Sequence, residues 1–149
     1  AEARAKAKKL AAPFLNRKKV LFVCRENACR SQMAAAFTRK MAGDRFEVES
    51  AGSDPSEKIN PIMEKVMVEK GIDMAYLKPG NISDLPDGWQ PDTVISMGCD
   101  VICPTFPGAV TEDWDLPDPS EDSLDFMRSI CDQVEKRVED FIFERSLNT

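Results

Sequence analysis

The stretch KKVLFVCRENACRSQMAAAF, Lys18 to Phe37, constrains the fold more than any other part of the chain. VLFVC is a continuous apolar run, the pattern of a central parallel strand covered on both faces. It stops at Cys24, and SQMAAAFTRKMAG then reads as a helix with Ser31 early and Gly43 as its stop. The turn between them, Cys24 to Arg30, is therefore a strand-to-helix loop. Such a loop can point successive backbone N–H groups inward, and the helix dipole adds partial positive charge. A tetrahedral oxyanion fits that ring, lined by Arg25, Glu26, Asn27, Ala28 and Cys29. Arg30 offers a planar fork able to hold two of its oxygens. The same field favours a thiolate at Cys24, to which Ser31 can donate its hydroxyl. Asn27 suits a left-handed position in the loop. A carboxylate at Glu26 is expected to face outward or to bind a protonated oxygen. The competing reading makes Cys24 a core residue and Arg30 a solvated helix residue. C-x5-R alone is weak evidence, and its placement between a strand and a helix is what strengthens it.

The rest of the chain supplies the other layers. FEVESAG alternates apolar and polar residues before turn chemistry at Gly52, Asp54 and Pro55. NPIMEKVMVEKG has Asn60 as cap, Pro61 at the first helical position and Gly71 as terminator. GNISDLPDGWQ is loop-like, and DTVISMG is a third strand. A short strand is expected around Val110 to Trp114 inside a Pro-rich stretch. From about Ser123, Leu124, Met127, Ile130, Val134, Val138 and Phe141 recur at helical spacing as an amphipathic closing helix. Alternating strands and helices predict a single-domain α/β fold, a parallel sheet with right-handed crossovers. Ligands of such sheets sit beyond the carboxyl ends of the strands, where Cys24 and the Gly98–Cys99 pair would share a rim.

The chain has 149 residues, enough for one domain with a real core. Its basic opening, residues 1–18, is set apart as a helical or disordered extension, with the globular domain over 19–149. A net charge of −6 argues against nucleic-acid binding. No apolar run is long enough for a membrane span and no signal-peptide pattern opens the sequence, so the cytoplasm is the expected compartment. A monomer is expected, though no sequence feature fixes the oligomeric state. Five cysteines do not suit a closed disulfide framework. Histidine is absent, which removes Cys-His and Ser-His activation and most zinc chemistry. No metal or bound cofactor is expected.

EDWDLPDPS places Asp118 before Pro119 in a stiff loop. An oxygen displaced from a tetrahedral centre needs a proton donor, and Asp118 is the candidate general acid, with an ordinary turn aspartate as the plain alternative. At this point the chain resembles the low-molecular-weight tyrosine phosphatase superfamily, and within it the thiol-coupled arsenate reductases. VLFVCRENACRSQMAAAF, VESAG, INPIMEKVMVEKGID, VISMGCDVICPTFPG and EDWDLPDPS carry the resemblance, which runs from about Lys19 to the closing helix. It implies a phosphotyrosine phosphatase I-like three-layer sandwich, with a four-stranded parallel sheet flanked by helices. It also implies that Cys24 attacks the oxyanion, Arg30 and the loop amides bind it, and Asp118 protonates the leaving oxygen.

The two branches differ in their extra thiols. A phosphatase resolves its phosphocysteine with water, whereas a reductase needs a second thiolate to deliver two electrons to arsenic. On the resemblance, Cys99 attacks the Cys24 adduct and Cys103 passes the disulfide to thioredoxin or a glutaredoxin-like donor. The C-x3-C spacing is tighter than in well-known thioredoxin-coupled members, which leaves the relay order open. Cys29 is read as a structural loop residue, with a resolving or protective disulfide role as the alternative. Cys131 is read as core. PSED lacks the aromatic pair that tyrosine phosphatases of this superfamily carry after the aspartate, and Gln32 stands where they usually place proline. Ala35 replaces the glutamate of potassium-responsive reductases, so no potassium site is expected. The favoured reading is an arsenate reductase. A small phosphomonoesterase or tyrosine phosphatase is the alternative, and an oxyanion or redox sensor is a third.

Overall fold

The computed structural model describes residues 17–98, 105–117 and 123–147. Four strands, β1 (Lys18–Cys24), β2 (Phe46–Gly52), β3 (Thr93–Ser96) and β4 (Val110–Asp113), form one sheet in the order β2-β1-β3-β4. Every neighbouring pair is parallel. Three helices accompany them: α1 (Arg30–Ala42), α2 (Pro61–Glu69) and α3 (Leu124–Leu147). The predicted strand-helix alternation is thus the observed architecture, and none of the helices is long and apolar enough to cross a membrane, among the described residues.

The apolar run of β1 explains its central place. Successive side chains of a strand point to opposite faces. Val20, Phe22 and Cys24 join the larger core with Met33 and Phe37 of α1, Met63 and Met67 of α2, and Met127, Ile130 and Val134 of α3. Leu21 and Val23 face the smaller core with Ala51 and Val94, beneath Ile82, Leu85, Trp89 and Phe106. Phe22 is fully buried and tilts against Trp114 at 5.6 Å between ring centroids. Burying one such side chain is worth about 1.5–3 kcal/mol. A polar residue anywhere in Val20–Val23 would forfeit that on one face or the other.

The helix ends follow their local chemistry. The Asn60 side chain accepts from the N–H groups of Ile62 and Met63 at 2.8 and 3.2 Å, and Pro61 opens α2 as expected. Gly71 closes it with φ +79°. Gly43 ends α1 in an ordinary right-handed conformation, φ −63°, so its left-handed freedom is not used there. The loop-like segment after Gly80 contains one unforeseen 3-10 turn, Ile82–Asp84, closed by a reciprocal Asn81/Asp84 capping box. Ser123 receives the N–H of Phe126 at the start of α3. Leu124, expected in the apolar stripe, is 41% exposed, and the stripe begins one turn later.

Register decides where the site lies. Cys24 pairs with Gly52 at the end of β1, and the Met97 N–H reaches the Val23 carbonyl at 3.0 Å just beyond β3. The carboxyl ends of β1 and β3 therefore share one rim, next to the start of α1.

Candidate active site

The loop after Cys24 is held from its outer side. The Arg25, Glu26 and Ala28 carbonyls accept from the N–H groups of Asp54, Ser56 and Asn60 at 2.8, 3.0 and 2.8 Å. In a trans peptide the carbonyl and the next N–H point opposite ways. Three carbonyls turned outward thus turn the N–H groups of Glu26, Asn27 and Cys29 toward the concave side, as the cradle reading requires. Gly52 is needed for this approach, since a Cβ there would lie 2.7 Å from the Arg25 carbonyl oxygen. Asn27 takes the left-handed conformation foreseen for it, φ +52°.

The helix start completes the cradle. Its N-cap, Cys29, makes no side-chain cap hydrogen bond, and no acidic residue occupies the first turn. A helix N-terminus without cap or carboxylate leaves its donors and partial positive charge available to an anion. The Cys29 thiol instead points into the core and donates to Met127 Sδ at 3.4 Å, which supports its structural reading.

Cys24 is 3% exposed, and its sulfur lies 2.8 Å from the Ser31 hydroxyl oxygen. Asn27 Nδ2 donates to that same oxygen at 2.8 Å. Either group can donate when Cys24 is a thiol; a thiolate can only accept, so in that state the Ser31 hydroxyl gives its hydrogen to the sulfur while its oxygen accepts from Asn27. Asn27 Oδ1 accepts from the Gly80 N–H at 2.8 Å, which fixes the amide orientation. Gln32 Nε2 donates to both oxygens of Asn27 and to the Lys78 carbonyl. Gln32 had no assigned contact in the sequence reading. Its partners come from the loop and from a segment more than forty residues away, and no sequence signal marked them.

Arg30 is 5% exposed rather than solvated. Its Nη1 donates to the Met97 carbonyl and, at 3.3 Å, to the Leu116 carbonyl. One amino group of the guanidinium thereby joins the segments following β3 and β4. Among the described residues no acceptor takes its Nε or Nη2 hydrogens, which lie in the same plane and suit two oxygens of one anion. Arg25 and Glu26 are exposed; Arg25 makes only a long ion pair, 3.9 Å, with Asp54. Arg25 thus reaches toward the segment that holds the loop from outside, and the Glu26 carboxylate is solvated rather than buried against the sulfur. Cys99, Cys103 and Asp118 lie outside the described residues.

Cys131 sits in the core with its sulfur 3.7 Å from Met67 Sδ, and burial pushes its thiol up to about 11, the nearby Lys70 opposing. Ala28 is buried in the loop, its methyl group inside the wall of the cradle.

A buried sulfur beside a hydroxyl, inward amides and an uncapped helix start are the parts that a thiol nucleophile acting on a tetrahedral oxyanion requires. The chain belongs to the low molecular weight phosphotyrosine protein phosphatase family, whose profile matches residues 19–149. Among curated proteins it is 40% identical over 133 residues to the glutaredoxin arsenate reductase of Synechocystis sp., covering 84% of this chain and 96% of that protein. Among solved structures, an arsenate reductase in the phosphate binding state matches with a TM-score of 0.74 and 38% identity, over 85% of this chain and 98% of that one. The Corynebacterium glutamicum thioredoxin-dependent arsenate reductase matches at 0.73 and 30% identity, over 99% of this chain and 74% of that one.

Proposed function

We propose that the protein reduces arsenate to arsenite with electrons from a small dithiol protein. The observation that carries the reading is the Cys24–Ser31–Asn27 cluster at an anion-ready helix start, in a chain whose relatives are arsenate reductases. Arsenate enters the cradle, bound by the inward amides of 25–29 and the Arg30 fork. The Cys24 thiolate attacks arsenic, and Asp118 protonates the departing oxygen, which leaves as water. The Cys99 thiolate then attacks the Cys24 sulfur. A disulfide forms, the sulfur–arsenic bond breaks, and its electron pair stays on arsenic, now trivalent and released as arsenite. Cys103 attacks Cys99, freeing Cys24 and leaving a Cys99–Cys103 disulfide for the carrier to reduce. Thioredoxin and glutaredoxin both provide that chemistry, and each appears in the name of one relative. The enzyme needs no bound cofactor on this route, and its place is the cytoplasm, as a monomer of one catalytic domain, 19–149, behind a basic extension.

The test is arsenate-dependent NADPH consumption coupled through thioredoxin or glutaredoxin and the matching reductant. Wild type is expected to turn over. Cys24→Ser, Cys99→Ser and Cys103→Ser are each expected to abolish turnover, and Cys99→Ser should retain hydrolysis of an aryl phosphate. Aryl-phosphate hydrolysis alone, with no arsenate turnover by wild type, would favour the second reading: a phosphomonoesterase working through a Cys24 phosphocysteine. That reading draws on the same cradle, since a tetrahedral phosphate presents the same oxygens as arsenate.

A further inference from the structure

We infer that Gln32 is a positioning residue for the Cys24 nucleophile, acting on the sulfur through Asn27 and Ser31. The inference rests on the reading of Cys24 as nucleophile and adds a residue that governs it without touching substrate.

Three backbone groups make the amide orientations unambiguous. Gln32 faces the Asn27 carbonyl at 3.0 Å and the Lys78 carbonyl at 3.3 Å, both of which can only accept, so Nε2 must be the atom presented there. The same Nε2 lies 3.1 Å from Asn27 Oδ1. The Gly80 N–H, which can only donate, meets Asn27 Oδ1 from the other side at 2.8 Å. Flipping the Asn27 amide would set its NH2 against two donors and turn Oδ1 toward the Ser31 hydroxyl. That hydroxyl would then give its hydrogen to Asn27, and a Cys24 thiolate, which can only accept, would lose the Ser31 donor. Gln32 opposes the flip and also clamps the Asn27 carbonyl, where the backbone is in its left-handed conformation. At 3% exposure Gln32 has no exchange with bulk water to replace these bonds.

The consequence is a measurable coupling between Gln32 and the ionisation of Cys24. Carboxymethylation by iodoacetate, followed across pH with peptide-resolved mass spectrometry to separate the five cysteines, reads it directly. Gln32→Met keeps the length and removes both hydrogens; Gln32→Glu keeps the shape and replaces the donor with an acceptor. Both profiles should move to higher pH, with Cys24 alkylated about three- to tenfold more slowly near neutrality, the scale of a weakened hydrogen bond to a charged group. Gln32→Glu should show the larger effect. In the wild type, the side-chain NH2 resonances of Asn27 and Gln32 should titrate together with Cys24, and in Cys24→Ser they should not titrate. This second readout needs no Gln32 variant to fold. Profiles that superimpose on wild type in a folded variant, or Gln32 resonances blind to the Cys24 titration, overturn the inference. Retained arsenate turnover in Cys24→Ser overturns the nucleophile reading instead, a result that no behaviour of the Gln32 variants would produce.

Discussion

Cys24 and Cys131 are equally hidden from water, at 3% and 0% exposure, yet their surroundings prepare them for opposite fates. The sulfur of Cys24 meets a hydroxyl at 2.8 Å beside an uncapped helix start. The sulfur of Cys131 meets a thioether at 3.7 Å on the inner face of α3, and burial with Asp132 and Glu135 nearby disfavours its charge. Solvent access therefore does not separate the proposed nucleophile from the core thiol in this protein. The separation comes from whether the immediate neighbours donate to the charged form or exclude it.

Swapping the two sulfurs for their nearest substitutes gives the sharpest contrast. Cys24→Ser should lower arsenate turnover roughly a thousandfold or more, as removal of a nucleophile does. Cys131→Ala should leave turnover within about twofold and lower stability by ~1–2 kcal/mol, seen as a fall in the urea midpoint. Comparable losses from both would erase the distinction. Next in size is Arg30→Lys, which loses the planar fork and one or both carbonyl contacts; kcat/KM should fall about a hundredfold. Ser31→Ala removes the donor to sulfur and should slow single-turnover attack about tenfold near neutral pH, with less effect in alkaline buffer.

The Cys131 side of the contrast has its own pH signature. Its folded-state value is raised from an ordinary 9.0 to about 11, so between those values the native state holds the proton that the unfolded chain has released. Stability should consequently fall as pH rises through that window, by at most about 1.4 kcal/mol per pH unit. Urea melts of wild type and Cys131→Ala at pH 8 and pH 10 check this, because the variant should lose that part of the slope. The smallest effect is Asn60→Ala, expected to cost about 1 kcal/mol through the lost cap of α2. The backbone N–H of residue 60 survives the substitution and keeps its bond to the Ala28 carbonyl, so the melting curve should move while arsenate turnover stays within about twofold.

Local chemistry was legible in the sequence wherever the determining partners were close in the chain. The β1 run, the Asn60–Pro61 start of α2, the left-handed Asn27 and the Cys24–Ser31 pairing all depend on neighbours within a turn or a loop. The Asn81/Asp84 capping box was equally local, and its N-x-x-D spacing was readable but was subsumed in a loop. What could not be read was the company of Arg30 and Gln32. Arg30 meets carbonyls 67 and 86 residues away, and Gln32 meets one 46 residues away. Backbone carbonyls carry no residue identity, so no sequence pattern marks them as partners. The exposure of Leu124 has a simpler origin: helical periodicity gives the face of a helix but not how far along it the neighbouring helices reach.

The outward-facing carbonyls of the loop after Cys24 have one further consequence. Because each is already engaged by the 54–60 segment, the loop cannot rotate a peptide to offer oxygen to a cation. Its preference for negative ligands is written into the main chain. The exposed side chains of Arg25 and Glu26 are thereby left at liberty to vary without altering the sign of what the socket admits.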